Sequence, residues 1–393
     1  MRRLLFVALL VVPVAAAPAT AQIEIYLTDT PAGTAVDRVG GTAPYDVIRA
    51  DRSQVVETPS TIDLGVVTAI ECGSPDASTR AGDEDPTSPP ASEVFYYLVR
   101  STGGSYGDTD GKEKLASAGD CAAVTSPVCD RWNADYPKQA TVVWTGDTVP
   151  ANCDLGIVDP LAIEDGLRRT NLYRWLVGLP PVTENLSYSA KAQAAAVIMR
   201  GLGTLTHVPD PADPCYTADG DDGAGSSNLA AGYRSLADAV DGYMRDSGVP
   251  SLGHRRWLIY PRFSETGFGI VRGGSFGWFS AQWVFGFGPD PAPEFVAYPA
   301  PGDFPDEALL GVWSFSVDGA DFSAATVTVT RVSDLMPMPV TGVYEPTPGF
   351  GLRTLAWDVT GWSAGESYDV RIDNVASAAR TTYTYTTTLL ACR

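Results

Sequence analysis

The chain of 393 residues holds only two histidines, His207 and His254, so any imidazole chemistry must run through these two positions. Between them in sequence stand Ser227-Asn228 and Asp246. A hydroxyl, an imidazole and a carboxylate are the residue types of a nucleophilic triad. A serine nucleophile also needs an adjacent base and an oxyanion hole. The surroundings of Ser227 argue against that use. The run Gly225-Ser226-Ser227-Asn228 lacks the Gly-x-Ser-x-Gly elbow and reads as a turn, where serine is favoured as the cap of the following helix. Asn228 is expected to bond backbone in that turn. No catalytic residue is assigned.

Two acidic runs, Asp219-Gly220-Asp221-Asp222-Gly223 and Asp108-Thr109-Asp110-Gly111, resemble fragments of calcium loops. Neither has the Asp-x-Asp-x-Asp-Gly spacing with a glutamate six residues on, so exposed acidic turns are expected. The aromatic run Phe276, Trp278, Phe279, Trp283, Phe285 and Phe287 only partly follows strand alternation. It reads as a strand covered on both faces and not as a carbohydrate platform.

The elements that must position these groups fall into three segments. From Ile23 to Cys153, strand-like runs alternate with turns: Ile23–Leu27, Tyr45–Ala50, Thr61–Ile70, Glu93–Arg100 and Ala140–Thr145. A long exposed loop is expected over Gly73–Pro90. The run Val94–Arg100 with its glycine-rich turn Gly103-Gly104-Ser105-Tyr106-Gly107 resembles the late strands of a fibronectin type III-like sandwich. From Leu155 to Asp290 the period becomes helical. Asp159-Pro160 opens one helix that stops at Gly178 and Pro180-Pro181. An Ala-rich helix runs from Leu186 to Met199, ending near Gly201, and a third from Ser235 to Arg245. Strands are expected at Trp257–Ile259, Phe268–Arg272 and Gly277–Phe287. From Phe295 onward strand signals return at Gly311–Asp318, Thr326–Val332, Thr354–Val359, Ser367–Asn374 and Thr381–Leu390, as for a second sandwich.

Composition sets the compartment and excludes partners. Arg2-Arg3, the apolar run Leu4–Ala17 and Ala19-Thr20-Ala21 have the layout of a secretory signal peptide, with cleavage expected after Ala21. That run is too short to span a bilayer, and no later stretch could do so. Six cysteines, Cys72, Cys121, Cys129, Cys153, Cys215 and Cys392, suit disulfides in an oxidising compartment, with 15 pairings open. The net charge of −20 excludes nucleic acid and anionic membrane surfaces, which demand basic patches.

Four motifs recur in order across the middle segment: Asn171-Leu172-Tyr173-Arg174 with Gly178-Leu179-Pro180, then Leu205-Thr206-His207, then Ser227-Asn228-Leu229-Ala230, then Gly253-His254-Arg255-Arg256-Trp257-Leu258 through Gly267-Phe268-Gly269. In order and spacing this segment resembles the bacterial branch of the CAP superfamily (cysteine-rich secretory proteins, antigen 5 and pathogenesis-related proteins). The resemblance implies an α-β-α sandwich with an open cavity, often lined by two histidines and two acidic residues that bind a divalent metal in some members. His207 and His254 fall at the histidine positions. Ser227 stands where the family commonly has glutamate, and Tyr243-Met244-Arg245-Asp246 places an aspartate at the second acidic position.

The chain is therefore expected to be α+β, a central α-β-α CAP sandwich with β-sandwich domains on both sides: signal peptide 1–21, N-terminal fibronectin type III-like sandwich 22–153, CAP domain 154–290 and C-terminal Ig-like sandwich 291–393. The expected cavity residues are His207, Asp246, His254, Ser227 and Asn228. His207, His254 and Asp246 are the expected ligands of a divalent metal, zinc or magnesium. The expected function is that of a secreted or cell-surface, non-catalytic module binding a small apolar or glycan ligand. The alternatives are a metal-assisted hydrolase or protease using the cavity, and a structural adhesion protein with a vestigial cavity.

Overall fold

The computed structural model describes residues 23–39, 45–74, 78–79, 84–89, 94–101, 106–109, 112–116, 121 and 126–392. The signal-peptide pattern and Gly103-Gly104-Ser105 lie outside them. The chain divides into two compact units, 1–123 and 124–393. Among the described residues, no helix is long and apolar enough to cross a membrane.

In the first unit, Tyr45–Asp51 runs antiparallel between Thr68–Ser74 and Phe95–Ser101. A second sheet orders Val56–Glu57, Thr61–Asp63, Lys112–Leu115 and Asp108–Thr109, and Glu24–Thr30 forms a hairpin with Gly33–Val39. Ile48, Ala50, Leu64, Val67, Tyr106 and Cys121 form the core, and Cys72–Cys121 ties it covalently. The run expected as one strand over Thr61–Ile70 is broken, because Gly65 takes φ 73° between its halves. The stretch 73–90 is not wholly exposed. Thr79 and Asp85 are buried, and Asp85 accepts from Arg49 at 2.7 Å and from the Tyr97 hydroxyl at 2.8 Å.

The second unit starts before the composition shift at Cys153. Ser126 caps helix α1 (Pro127–Asp135) by accepting from the Val128 amide. Cys129 is bridged to Cys392, and Asn133 donates to the Cys392 carbonyl at 2.6 Å. These bonds place 126–153 with the second unit, and Cys153–Cys215 adds another. Of the expected strand Ala140–Thr145, only Trp144–Thr145 is extended into a ladder.

Helices α2 (Pro160–Leu176), α3 (Leu186–Leu202), α4 (Ala218–Gly225), α5 (Leu236–Arg245) and α6 (Gly253–Leu258) follow. Asp159 caps α2 with Pro160 at its first position, Asn185 caps α3, and Gly203 closes α3 at φ 70°. Between them lies a sheet ordered Thr183–Glu184, Phe263–Arg272, Trp278–Phe287 and Ser227–Ala231. The Gly267-Phe268-Gly269 motif is explained by this layering. A Cβ at Gly267 would meet the Ser189 amide nitrogen at 2.2 Å, and one at Gly269 the Gln193 nitrogen at 2.3 Å, so only glycine lets α3 lie this close. Phe268 points the other way, toward Gly166 of α2. Helix, sheet and helix thus form three layers.

Two expectations are corrected here. Trp257–Ile259, expected as a strand, is the end of α6. Asp219–Gly223, expected as an exposed acidic turn, lies inside α4, whose Gly223 packs on the Lys191 carbonyl and whose Asp219 and Asp221 sit in the favourable first turn.

The C-terminal part is a sandwich of two four-stranded sheets. One orders Val296–Tyr298, Trp313–Val317, Arg353–Val359 and Val340–Tyr344; the other orders Gly302–Pro305, Thr382–Leu390, Ser367–Asp373 and Thr326–Arg331. Trp313, Phe315, Trp357, Tyr368, Ile372 and Leu389 fill it. Near the terminal clasp, burial, with the adjacent Glu307 as hydrogen-bond partner and like charge, pushes the Asp306 carboxyl up to about 7 from 3.8. Glu307 in turn accepts from the Cys392 amide. The folded state therefore keeps a proton that the unfolded chain releases near pH 4. The stability due to this group is fullest below that pH and is lost as pH rises towards 7. Thermal midpoints measured from pH 4 to 8 should fall less steeply for Asp306→Asn than for the native chain. Parallel curves would mean that Asp306 titrates as an ordinary carboxylate.

Candidate functional site

The site is built around a carboxylate. Asp246 ends α5 in the left-handed conformation, φ 52°, which aspartate tolerates better than most residues. Its side chain is fully buried. Oδ2 accepts the backbone N–H groups of His254 at 3.1 Å and Arg255 at 3.3 Å, and Oδ1 accepts from His254 Nδ1 at 2.7 Å. The residue preceding α6 is Leu252, at φ 48°, whose side chain cannot cap. Asp246 supplies that cap from outside, and binds the imidazole of the same helix.

The carboxylate can only accept here, so His254 carries its proton on Nδ1 and presents Nε2 as the free ring nitrogen. The ring is partly exposed and lies 5.4 Å from the Tyr243 ring. Tyr243, fully buried and pushed well up by that burial, donates its hydroxyl to the Asn228 carbonyl at 3.0 Å. Asn228 donates Nδ2 to the His254 carbonyl at 3.0 Å. It does bond backbone, but from inside the strand Ser227–Ala231 and not from a turn. His207 follows α3, and its Nδ1 lies 2.8 Å from the Ala224 carbonyl, so it too leaves Nε2 free. The two histidines are thus bonded to Ala224 at the end of α4 and to Asn228 at the start of the next strand, four positions apart.

Ser227 does not cap a helix, as expected from its turn-like neighbours. It opens the strand, and Ser235 caps α5 by accepting from the Asp238 amide. The Ser227 hydroxyl is buried with no hydrogen-bond partner among the described residues. No base activates it, so a serine nucleophile has no support.

A divalent metal held by His207, His254 and Asp246 does not fit these side chains. Asp246 binds His254 through Nδ1, on the side of the ring away from Nε2, so the two cannot share one ion through the free nitrogen. Among the described residues, no group of three or more His, Cys, Asp or Glu side chains is arranged to hold a metal. Asp246 is a positioning residue, orienting the imidazole as carboxylates often do.

Three groups were not legible in the sequence. Arg255 is wholly buried: it donates to the carbonyls of Met244 at 2.6 Å and of Val312 and Leu310 at 2.5 Å, and its guanidinium lies 4.6 Å from the Tyr298 ring centroid. Arg256 donates to Thr347 and Leu352 carbonyls, both at 2.7 Å; burial brings it down to about 10. Both arginines therefore fasten α6 to the C-terminal sandwich. Asp241 of α5 accepts from Arg169, from the Tyr173 hydroxyl at 2.7 Å and from the Tyr136 hydroxyl at 3.0 Å, joining α1, α2 and α5.

The third group is aromatic. Trp257, one turn beyond His254 on α6, packs against Phe285, Phe287 and Tyr260 with ring centroids 4.9, 5.9 and 5.7 Å away. Phe285 and Phe287 are 39% and 45% exposed, which corrects the expected doubly covered strand. The pairing is irregular only at Glu265: from Phe263 to Glu265 the partner strand advances one residue and from Glu265 to Gly267 three, so the two shifts cancel and the ladder resumes in the same register.

Asp246→Ala leaves three donors at the start of α6 without their acceptor. We expect it to lower the unfolding free energy by about 2–4 kcal/mol, against less than half of that for Asp246→Asn, as read from chemical denaturation. Equal stability of Asp246→Ala and the native chain would remove Asp246 from its central role.

Residues 167–285 match the model of CAP, the cysteine-rich secretory protein family. Among solved structures, an extracellular protein containing an SCP domain from Bacillus anthracis str. Ames is similar at 17% identity, over 33% of this chain and 44% of that one, with a TM-score of 0.24. The chain thus spans less than half the length of that structure. No curated protein matches the chain.

Proposed function

With residues 167–285 forming a CAP domain, we propose that the chain is a secreted protein that binds, without turning over, an apolar or glycan ligand on the surface where α6 meets the sheet. The observation that carries this reading is the partly exposed cluster of Trp257, Tyr260, Phe285 and Phe287 set one helical turn from His254. Apolar ring faces bordered by a single oriented polar nitrogen form a recognition surface: the rings contribute contact area, and Nε2 accepts one hydrogen bond. The three disulfides, with no free cysteine, support export, as does the pattern of the first 21 residues. Hydrolysis is the weaker reading, because the Ser227 hydroxyl has no base and Asp246 is spent behind His254.

Titration calorimetry with palmitate, cholesterol and a neutral hexaose tests the proposal. One of the three should bind saturably to the native chain and about tenfold more weakly to Trp257→Ala, a loss of ~1.4 kcal/mol. His254→Ala should weaken the same ligand. Binding that is indifferent to both substitutions, or turnover of an ester or peptide that both abolish, would replace this reading.

A further inference from the structure

A second concave site lies away from α6. The cleft, about 580 Å³ and open to solvent, is bounded by α1, the C-terminal end of α2 and the segment 293–303 that leads into the sandwich. That volume is within the range of small-molecule sites. Its walls are fixed by three independent ties: the Cys129–Cys392 bridge, the Asn133 bond to the Cys392 carbonyl, and a 2.8 Å hydrogen bond from the Ser126 hydroxyl to Asp303 Oδ2. The pocket is therefore built and does not depend on a single loop.

The chemistry of its lining is one-sided. Trp175, Leu176, Val177 and Phe295 provide apolar and aromatic surface, and the only charged side chains among the lining residues are the carboxylates of Glu294 and Asp303. No lysine or arginine lines it among the described residues. Among the described residues, Asp303 has the neutral Ser126 hydroxyl as its side-chain partner, and Glu294 pairs with Arg380 at 2.8 Å with both groups substantially exposed. An exposed pair of that kind is worth little and yields readily to a competing cation. Trp175 already attracts one cation from outside the cleft: the Arg131 guanidinium lies 5.4 Å from its ring centroid. An aromatic wall beside the Asp303 carboxylate and a Glu294 carboxylate held only by an exposed pair favours a weakly hydrated organic cation over a neutral or anionic guest of the same size. The net charge of −20 acts in the same direction at long range.

We propose that this cleft binds an alkylammonium amphiphile, its apolar body against Leu176, Val177 and Phe295 and its cationic head between Asp303, Glu294 and the Trp175 ring. The ligand class, a cation with an aliphatic tail, differs from that proposed for the α6 surface, and none of the residues is shared.

The test holds the tail constant and varies the head. Octyltrimethylammonium, octyl glucoside and octyl sulfate, each below its critical micelle concentration, are titrated into the whole protein by calorimetry. The cation should bind at one site, at least about tenfold more tightly than the glucoside, and the sulfate should not bind. The double variant Glu294→Gln, Asp303→Asn should lose about tenfold for the cation, while the amide oxygen at position 303 still accepts the Ser126 hydroxyl. Trp175→Ala, at a half-exposed position, should lose a similar factor, and Trp257→Ala on the other surface should lose none. Equal binding of cation and glucoside, undiminished binding in the double variant, or no binding of the cation would each overturn the proposal. Unchanged thermal midpoints establish that the variants are folded.

Discussion

A single buried carboxylate, that of Asp246, decides how the middle and the end of this chain are joined. Burying an ionised carboxylate costs several kcal/mol unless its lone pairs are filled. Here they are filled by three N–H donors of one short helix: two backbone amides and one imidazole. A helix of six residues would not hold its shape through propensity. The carboxylate supplies the missing cap and, in the same act, sets the tautomer of His254. Removing it would release the helix start and the ring together.

The next two residues carry that order outward. Arg255 and Arg256 end on backbone carbonyls of the C-terminal sandwich, not on carboxylates, so their charges are solvated by peptide dipoles. The contact is close enough that a Cβ at Gly311 would meet the Arg245 carbonyl at 2.8 Å, and one at Gly351 the Arg256 carbonyl at the same distance. Gly253 lies under the Phe350 ring in the same way. The sandwich is thus not a spacer strung after the CAP domain. It forms part of the frame that fixes α6, and with α6 the aromatic surface beside His254. The second cleft has the same origin, since its walls come from both the helical and the sandwich parts of this unit.

Much of this was legible from residue patterns. Local signals read α2 and α3 to within a few residues: Asp159-Pro160 opens α2, and the Ala-rich pattern Leu186–Met199 marks α3, whose caps Asn185 and Gly203 stand just outside it. The strands of the sandwich were read from alternation, as in Tyr383 and Tyr385 inward with Thr384 between them and Thr386 beyond, both outward. Motif order pointed to the CAP domain, which the family match over 167–285 supports. Long-range decisions were not legible. The strand reading of Trp257–Ile259 failed because α6 is held by Asp246 from eight residues away. The aromatic run failed because the cover over each face of a strand is set by distant elements, and Phe285 and Phe287, at the end of theirs, are left partly exposed. Nothing local marks Arg255 and Arg256 as buried, because the sandwich carbonyls that they bond lie more than fifty residues downstream. The start of the second unit was hidden for a related reason, since α1 belongs with a cysteine at the far end of the chain.

The joining of CAP domain and sandwich through α6 is tested most directly by native-state hydrogen exchange along a denaturant series. It compares the CAP strand Phe263–Arg272 with the sandwich strand Arg353–Val359 in the native chain and in Arg255→Leu, Arg256→Leu. If α6 makes the two parts one cooperative unit, both strands share one opening free energy in the native chain and separate into two in the double variant. Two distinct opening energies already present in the native chain, unchanged by the substitutions, would contradict the account.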